Sequence, residues 1–282
     1  MARFDIDADE HVGQIHRQLR QGRYQPGPYR AWTIRDPKLR LIAAPSMPDR
    51  VVQRALIDDI APAFERAFIV HSYAVAAGRG PQRAILTYLR WLRQYRYRVS
   101  LDIRRYFVSI DHDILLGLFA QRLRDRRTLE LIQSMIAVGG HVYETERAVR
   151  ALGLDREPIR PGCGIPLGGY LSHWSGGLYL DAFDHHVKRV LGIRGYLRYM
   201  DDFTLFADEP AQLVEARAAI VEWLARERRL QLKPRHDPIL PASQPATYLG
   251  YRVGRAGVLP GPKAKRRLYR RLLTAEDLGP ER

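Results

Sequence analysis

The sequence predicts an α+β protein, an antiparallel sheet backed by helices. Two observations carry that reading. Hairpin signals and stretches of helical period interleave along the chain. Its 282 residues are 46% hydrophobic, enough to bury the core of one large domain or two lobes.

Residues 22–45, GRYQPGPYRAWTIRDPKLRLIAAP, read as a short hairpin. Pro26, Gly27 and Pro28 lead in, and DPK turns between AWTI and LRLIA. Val52, Ala55, Leu56, Ile60 and Phe64 then recur at helical spacing, with Asp49 as a candidate N-cap and Pro62 as an end or kink. Pro81 suits the first position of a second helix through Ile85, Leu89 and Leu92, whose other side is arginine-rich. YRVSLD alternates as a strand up to Asp102, and Asp111 is placed to cap HDILLGLFAQRL. TLELIQSMIAV is a helix that stops at Gly139 and Gly140. Residues 141–163 are polar and read as irregular or a short hairpin. After GIPLGG a long helix reaches about Leu191, where Gly192 closes it. GYLRYMDDFTLFAD, residues 195–208, is a hairpin, and AQLVEARAAIVEWLARE an amphipathic helix. Short strands at LQLK and TYLGYRV precede a basic segment, KAKRRLYRRLL.

Charge narrows the function. The 46 Lys and Arg against 31 Asp and Glu leave a formal net charge of +15, which points to a polyanionic partner, most simply nucleic acid. No apolar run is long enough to span a bilayer, so a membrane partner is not expected. The stretch MARFDIDADEHVGQ is polar and acidic, unlike a signal peptide. A single cysteine, Cys163, excludes a disulfide framework and a cysteine-based metal cluster, so a reducing cytoplasm fits best. Asp181, Asp184, His185 and His186 lie close in sequence, but no further ligand for a zinc site is evident.

Asp201 and Asp202 are adjacent carboxylates at the tip of an apolar hairpin. Neighbouring strand residues face opposite ways, so both aim at one point only if the tip twists. Asp102, at the end of another strand, is placed to complete a site with Asp201. Such oxygens suit two Mg²⁺ ions about 3.5–4 Å apart, the spacing used for in-line phosphoryl transfer. Mg²⁺ fits because it keeps waters and substrate phosphates and needs few protein ligands.

The surroundings are more specific than the dipeptide. YMDDF stands around Asp201 and LDIRRYFVSIDH around Asp102, with GIPLGGYLSHWSGGLYLDAFDHHV between them and YLGY after them. This ordered set resembles the reverse transcriptase family, across about residues 15–270. Within it, GRYQPGPYR, DRVVQRAL, SYA…GRG, SIDHDIL, PLGGYLS and RYMDDF resemble the bacterial enzymes of diversity-generating retroelements most closely. The chain departs from that pattern at Val108, where the family usually has proline, at Ser172–His173 in place of SQ, and at Pro81–Gln82 in place of TH.

The resemblance implies right-hand polymerase fingers and palm, the palm sheet antiparallel and helix-backed, with a short or minimal thumb. Fingers with an N-terminal extension would span 1–95, the palm with part of the fingers 96–246, and the primer grip and short basic thumb segment 247–282. It implies that Asp102 and Asp201 hold two Mg²⁺ ions, for which Mn²⁺ can substitute, with the Ile103 carbonyl also touching a metal and Asp202 as an auxiliary acid near the primer end. Phe107 matches the steric gate, an aromatic edge that leaves no room for a 2′-hydroxyl. Gly164, Pro166, Leu167 and Gly168 belong to a nucleotide-binding loop, where glycines admit close backbone approach. Leu167 stands where many relatives have glutamine; an aliphatic side chain there cannot hydrogen-bond a substrate, which fits low fidelity. Lys38 and Arg40, with Arg35 as a third candidate, would close over a triphosphate from the finger hairpin. Lys233 is a candidate general acid for the leaving pyrophosphate. Tyr248, Leu249, Gly250 and Tyr251 match the primer grip, and the basic segment after them would hold duplex phosphates.

The implied partners are template RNA, a DNA or RNA primer, dNTPs, and an accessory protein or structured RNA, in a bacterial cytoplasm. RNA-directed DNA synthesis of the mutagenic retroelement kind leads. A phage-defence enzyme making untemplated or protein-primed DNA, and a nonenzymatic RNA-binding scaffold, are the alternatives.

Overall fold

The computed structural model describes residues 7–35, 39–234, 237–262, 264–267 and 269. Along the chain run helix α1 (Ala8–Arg20), strands β1 (Arg30–Arg35) and β2 (Leu39–Ala44), helices α2 (Met47–Glu65) and α3 (Pro81–Gln94), and strand β3 (Tyr97–Asp102). Helices α4 (Tyr106–Ser109), α5 (His112–Ala120), α6 (Arg126–Gly140), α7 (Glu146–Leu152), α8 (Tyr170–Tyr179) and α9 (Asp181–His185) follow. Strands β4 (Gly195–Tyr199) and β5 (Asp202–Ala207), helix α10 (Pro210–Arg228) and strands β6 (Leu240–Pro241), β7 (Ala246–Tyr248), β8 (Tyr251–Gly254) and β9 (Gly257–Pro260) complete the order. Residues 1–69, 103–184 and 221–233 form one compact unit; 70–102, 185–220 and 234–282 form a second.

In the first unit β1 and β2 make the expected hairpin, antiparallel from Arg30 opposite Ala44 to Arg35 opposite Leu39. Its turn, residues 36–38, lies outside the described residues. Helix α2 is capped by Ser46 rather than Asp49: the Ser46 hydroxyl accepts from the Asp49 N–H at 3.3 Å. Asp49 is buried one turn further in. Its carboxylate accepts from the hydroxyls of Tyr24 at 2.6 Å and Ser46 at 2.5 Å, and from the Gly27 N–H at 3.2 Å. A serine hydroxyl and an acid three residues on thus close a reciprocal cap, and the same acid ties down the PGP lead-in. Pro62 does not end the helix, which runs on to Glu65. No basic residue stands in its last turn; Arg122 instead donates to the carbonyls of Ala63 at 2.9 Å and Phe64 at 3.4 Å.

Trp174 of α8 is fully buried, edge-on to Phe64 at 5.4 Å and beside Phe119 at 6.0 Å. A second cluster joins Leu41 and Ala43 of β2 to Val142, Tyr143, Ala148 and Leu154. The stretch 141–163 is therefore neither irregular throughout nor a hairpin. It forms a 3-10 turn, His141–Glu144, and α7. These pieces are too short to display a period, and only their few apolar residues reach the core. The long helix expected up to Leu191 is broken after Tyr179, continuing as α9 and a π-helical turn, His186–Val190, before Gly192 takes φ 67°.

In the second unit β4-β5-β3-β6 form an antiparallel sheet, and β7-β8-β9 a three-stranded meander. Helix α3 starts at Pro81, as its fixed φ favours, and buries Ile85, Tyr88, Trp91 and Leu92 against Leu197, Phe206, Tyr248 and Val253. Strand β5 is buried on both faces from Phe203 to Ala207. In the first unit the LQLK stretch makes only an isolated bridge, Leu232 to Ile103, in place of the strand expected there.

Asp49→Ala removes one buried acceptor from three donors. It should lower stability by about 3 kcal/mol, read as a fall in the urea midpoint. An unchanged midpoint would show that the cap contributes nothing.

Candidate active site

The site in the second unit follows from strand register. Strands β3 and β5 pair from Tyr97 opposite Ala207 to Asp102 opposite Asp202. Directly opposite residues of an antiparallel pair leave the same face of the sheet, with Cβ atoms about 4.5–5.5 Å apart. Asp102 and Asp202 therefore share one face. So do Ser100 and Thr204, two residues back, whose hydroxyls are hydrogen-bonded at 3.0 Å. Asp201 lies in the two-residue turn that joins Tyr199 to Asp202. The strand partner of Asp102 is thus Asp202, with Asp201 presented from the turn beside it.

The turn is strained and braced. Met200 has φ 55°, a left-handed conformation costly to a side chain with Cβ, and it is buried. Arg198, only 1% exposed, donates to the Met200 carbonyl at 2.9 Å and to the Ser72 hydroxyl at 3.1 Å. The backbone on either side is fixed too: the Arg198 N–H donates to the His71 carbonyl at 2.9 Å, and the Tyr73 N–H to the Arg198 carbonyl at 3.0 Å.

The acidic face also carries aromatics. Tyr88 stacks on Tyr248 with centroids 4.4 Å apart and planes 13° from parallel. Burial, then the Asp202 carboxylate, pushes the Tyr248 phenol up, so it stays protonated. Among the described residues the buried Tyr248 hydroxyl has no hydrogen-bond partner. Tyr248 opens the expected primer-grip turn. Leu249 and Gly250 both take positive φ, 47° and 85°, as a two-residue hairpin with Tyr248 opposite Tyr251 requires. The Gly261 N–H donates to the Gly250 carbonyl at 3.1 Å and holds that turn from outside.

The donor set suits a hard divalent cation. Two carboxyl groups opposite each other on one face, with a third in the adjoining turn, repel one another, and a divalent cation offsets such repulsion. Among the described residues no three His, Cys, Asp or Glu side chains are grouped closely enough to hold a metal ion by themselves. Mg²⁺ does not need one, because waters and substrate phosphates fill most of its octahedron.

The remaining candidates belong to the first unit. The Leu167 carbonyl accepts from the Ala43 N–H at 2.7 Å, which seats the GIPLGG loop on β2, the strand that carries Arg40. Gly168 has φ 134°, and a Cβ there would lie 2.2 Å from the Ala43 carbonyl oxygen. Gly164 has φ 101° and abuts the Tyr143 ring, while the Tyr143 hydroxyl donates to the Ile165 carbonyl at 2.7 Å. Pro166 packs on Gly139, where a Cβ would come within 2.9 Å. Leu167 alone in this loop presents its side chain outward, 37% exposed. The Ile165 N–H donates to the Phe107 carbonyl at 2.9 Å, and the Phe107 ring lies over Gly176, 3.2 Å from where a Cβ would stand. Neighbouring Tyr106 is the core aromatic, its hydroxyl donating to the Gly176 carbonyl at 2.5 Å. Ile103 is buried and bridged to Leu232, next to Lys233, which is half-buried. Arg35 and Arg40 are exposed on the hairpin; Lys38 lies outside the described residues, as does most of the basic segment KAKRRLYRRLL.

Sequence reading overlooked Arg198 and Tyr88. The signal for Arg198 was present: an arginine inside the otherwise apolar strand GYLRY, directly before YMDD. Tyr88 looked like any helix-core aromatic, and only the tertiary pairing joins it to Tyr248.

Comparison with known proteins identifies the family and the fold. Residues 34–253 match the family described as reverse transcriptase (RNA-dependent DNA polymerase). Protein YkfC of Escherichia coli (strain K12) is 27% identical over 237 residues, 71% of this chain and 59% of that protein. The group II intron-encoded protein LtrA of Lactococcus lactis subsp. cremoris is 22% identical over 321 aligned positions, 89% of this chain and 51% of that protein. The chain thus spans a little over half the length of these relatives. In fold it resembles apo telomerase from Candida tropicalis, truncated from its C-terminal domain, at a TM-score of 0.53, 12% identity and 83% coverage of this chain against 54% of that one. Telomerase from Candida albicans, in complex with a fragment of telomeric RNA, gives 0.55 at 9% identity, covering 86% of this chain and 48% of that one.

Arg198→Met leaves two buried acceptors without their donor. It should cost about 3 kcal/mol in chemical denaturation. Arg198→Lys should recover less than half of that, because one ammonium cannot replace a fork reaching two acceptors. Full recovery by lysine would mean that only the charge matters.

Proposed function

The chain belongs to the reverse transcriptase (RNA-dependent DNA polymerase) family, and on that premise we propose that it copies RNA into DNA by nucleotidyl transfer. The observation that carries the reading is the register that sets Asp102 opposite Asp202 beside the Asp201 turn. In the proposed reaction the primer 3′-oxygen attacks the α-phosphorus of a dNTP. The bond to the β-phosphate breaks, and pyrophosphate leaves. Asp102 and Asp201, with the Ile103 carbonyl, would hold two Mg²⁺ ions, and Asp202 would serve as the auxiliary acid. Bound there, such ions would supply charge neutralisation for the triphosphate and would ease loss of the primer hydroxyl proton. Lys233 donates a proton to the leaving pyrophosphate, and Arg40 with Lys38 grips the triphosphate. Tyr248–Tyr251 position the primer end.

Phe107 acts as the sugar gate. Its ring is stacked over a glycine that leaves it space, while Tyr106 takes the core role beside it. The finer assignment is a low-fidelity enzyme of the diversity-generating retroelement type, working with template RNA, a primer and an accessory protein or structured RNA in a bacterial cytoplasm. Support comes from the quoted motifs and from the exposed aliphatic side chain of Leu167 on an otherwise pinned loop.

Primer extension on an RNA template with Mg²⁺ tests the chemistry. Asp102→Ala and Asp201→Ala should each lower the rate at least about a hundredfold, since each removes several kcal/mol of transition-state stabilisation. Retained extension in both variants refutes the site.

Phe107→Ala should raise ribonucleotide incorporation, and Leu167→Gln should lower misincorporation. Unchanged sugar selectivity removes the gate, and an unchanged error rate removes the fidelity role of Leu167.

A further inference from the structure

A second basic feature lies wholly within the first unit. A pocket there is lined by Arg104, Arg105, Glu157, Arg160, Arg229 and Gln231. Arg104 bonds the Glu157 carboxylate at 2.6 Å. Arg105 reaches the same carboxylate oxygen at 3.3 Å and donates to the Glu157 carbonyl at 2.8 Å. On the other side Arg229 bonds Asp111 at 2.8 Å, and Arg160 approaches that carboxylate at 4.0 Å. The framework is fixed by backbone. The Arg104 N–H donates to the Gln231 carbonyl at 2.7 Å, and Ile103 bridges to Leu232.

Four guanidinium groups meet two carboxylates here, so among the described residues of this cluster positive charge exceeds negative by two. One donor has a more specific need. The outer nitrogen Nη2 of Arg105 is buried without a hydrogen-bond partner among the described residues. A buried guanidinium donor left unmade is costly. Asp111 is already committed elsewhere, accepting from the N–H groups of Asp113 at 3.1 Å and Ile114 at 3.2 Å as the cap of α5. Arg104, Arg160 and Arg229 line the pocket with side chains 38%, 48% and 57% exposed, so their charge is open to an incoming anion.

We propose that this pocket is an auxiliary polyphosphate-binding site that takes a diphosphate group without a divalent cation. Planar guanidinium forks match phosphate oxygens two at a time. The arginines stand in two sets, each held by its own carboxylate, so a ligand with two linked phosphates engages both sets where orthophosphate engages one. The donors line a concavity, which admits a compact anion in preference to a duplex backbone. Free pyrophosphate and the tail of a nucleoside triphosphate share this chemistry. None of its side chains is among the metal ligands or nucleotide contacts proposed above, so its binding can be tested apart from polymerase activity.

Calorimetric titration of the full chain in EDTA tests it, with pyrophosphate, orthophosphate, a dNTP and a short RNA as titrants. Pyrophosphate should bind more tightly than orthophosphate, and Arg150→Gln, at an exposed arginine outside the pocket, should leave that binding unchanged. Arg105→Gln and Arg160→Gln should each weaken it about tenfold or more, the effect of losing one charge-assisted contact. Arg160 is half-exposed, so its replacement leaves the fold intact; circular dichroism checks Arg105→Gln. A dNTP that binds as tightly as pyrophosphate identifies the triphosphate tail as the ligand, and a weaker one identifies free pyrophosphate. No pyrophosphate uptake, uptake indifferent to both substitutions, or uptake of RNA alone overturns the proposal.

Discussion

The candidate site rests on one constraint, the register between β3 and β5. Side chains alternate along a strand, so a slip of one residue would send Asp102 to the opposite face from Asp202. The register is held by interactions on both faces. On the acidic face the Ser100–Thr204 hydroxyl pair lies one step behind the carboxyl groups, and Phe206 packs edge-on to Tyr88 at 5.3 Å. On the other face Arg198 stands opposite Phe203 and reaches round to the turn carbonyl of Met200. The polar pair sets alignment, the aromatic contact sets depth, and the arginine closes the tip.

This arrangement stores opposing demands in a few residues. Acids opposite one another weaken the strand pair that presents them, and Met200 adds a left-handed backbone. The compensation is local burial: Tyr196, Leu197, Phe203, Thr204 and Leu205 are all fully buried around the tip. Arg198 is the notable expense. A buried guanidinium is tolerable only when its donors are met, and the carbonyl it meets belongs to the strained residue. Strain and buried charge therefore stabilise each other, and losing one exposes the other.

The sequence disclosed the elements whose signals are local. The hairpin at 195–208, the Pro81 helix start, the Asp111 cap and the turn at Leu249–Gly250 all follow from residue type and spacing, and so does the position of Asp102 at a strand end. What it hid depends on tertiary partners. Ser46 and Asp49 are both good capping residues, and choosing between them requires knowing that Asp49 also holds Tyr24 and Gly27. Pro62 looked like a stop because the partner for the carbonyls beyond it, Arg122, lies far along the chain. The short helices at 141–152 carry too few turns for a period. The strand register was equally hidden: a two-residue turn places Asp201 before β5 begins, so the position directly opposite Asp102 falls to Asp202.

The GIPLGG loop shows how a motif divides between architecture and chemistry. Gly168 is required before any ligand is considered, since a Cβ would collide with the Ala43 carbonyl. Gly164 answers to its positive φ and the Tyr143 ring, and Pro166 to the bare surface of Gly139. These residues fix the path of the backbone. The Leu167 carbonyl is part of that path through its bond to Ala43, while its side chain points away and is partly exposed. A change at 167 can therefore alter what the loop offers to a bound molecule without altering where the loop lies. Within this motif, selection for a different chemistry can act on one position, because the neighbouring positions already serve to hold it.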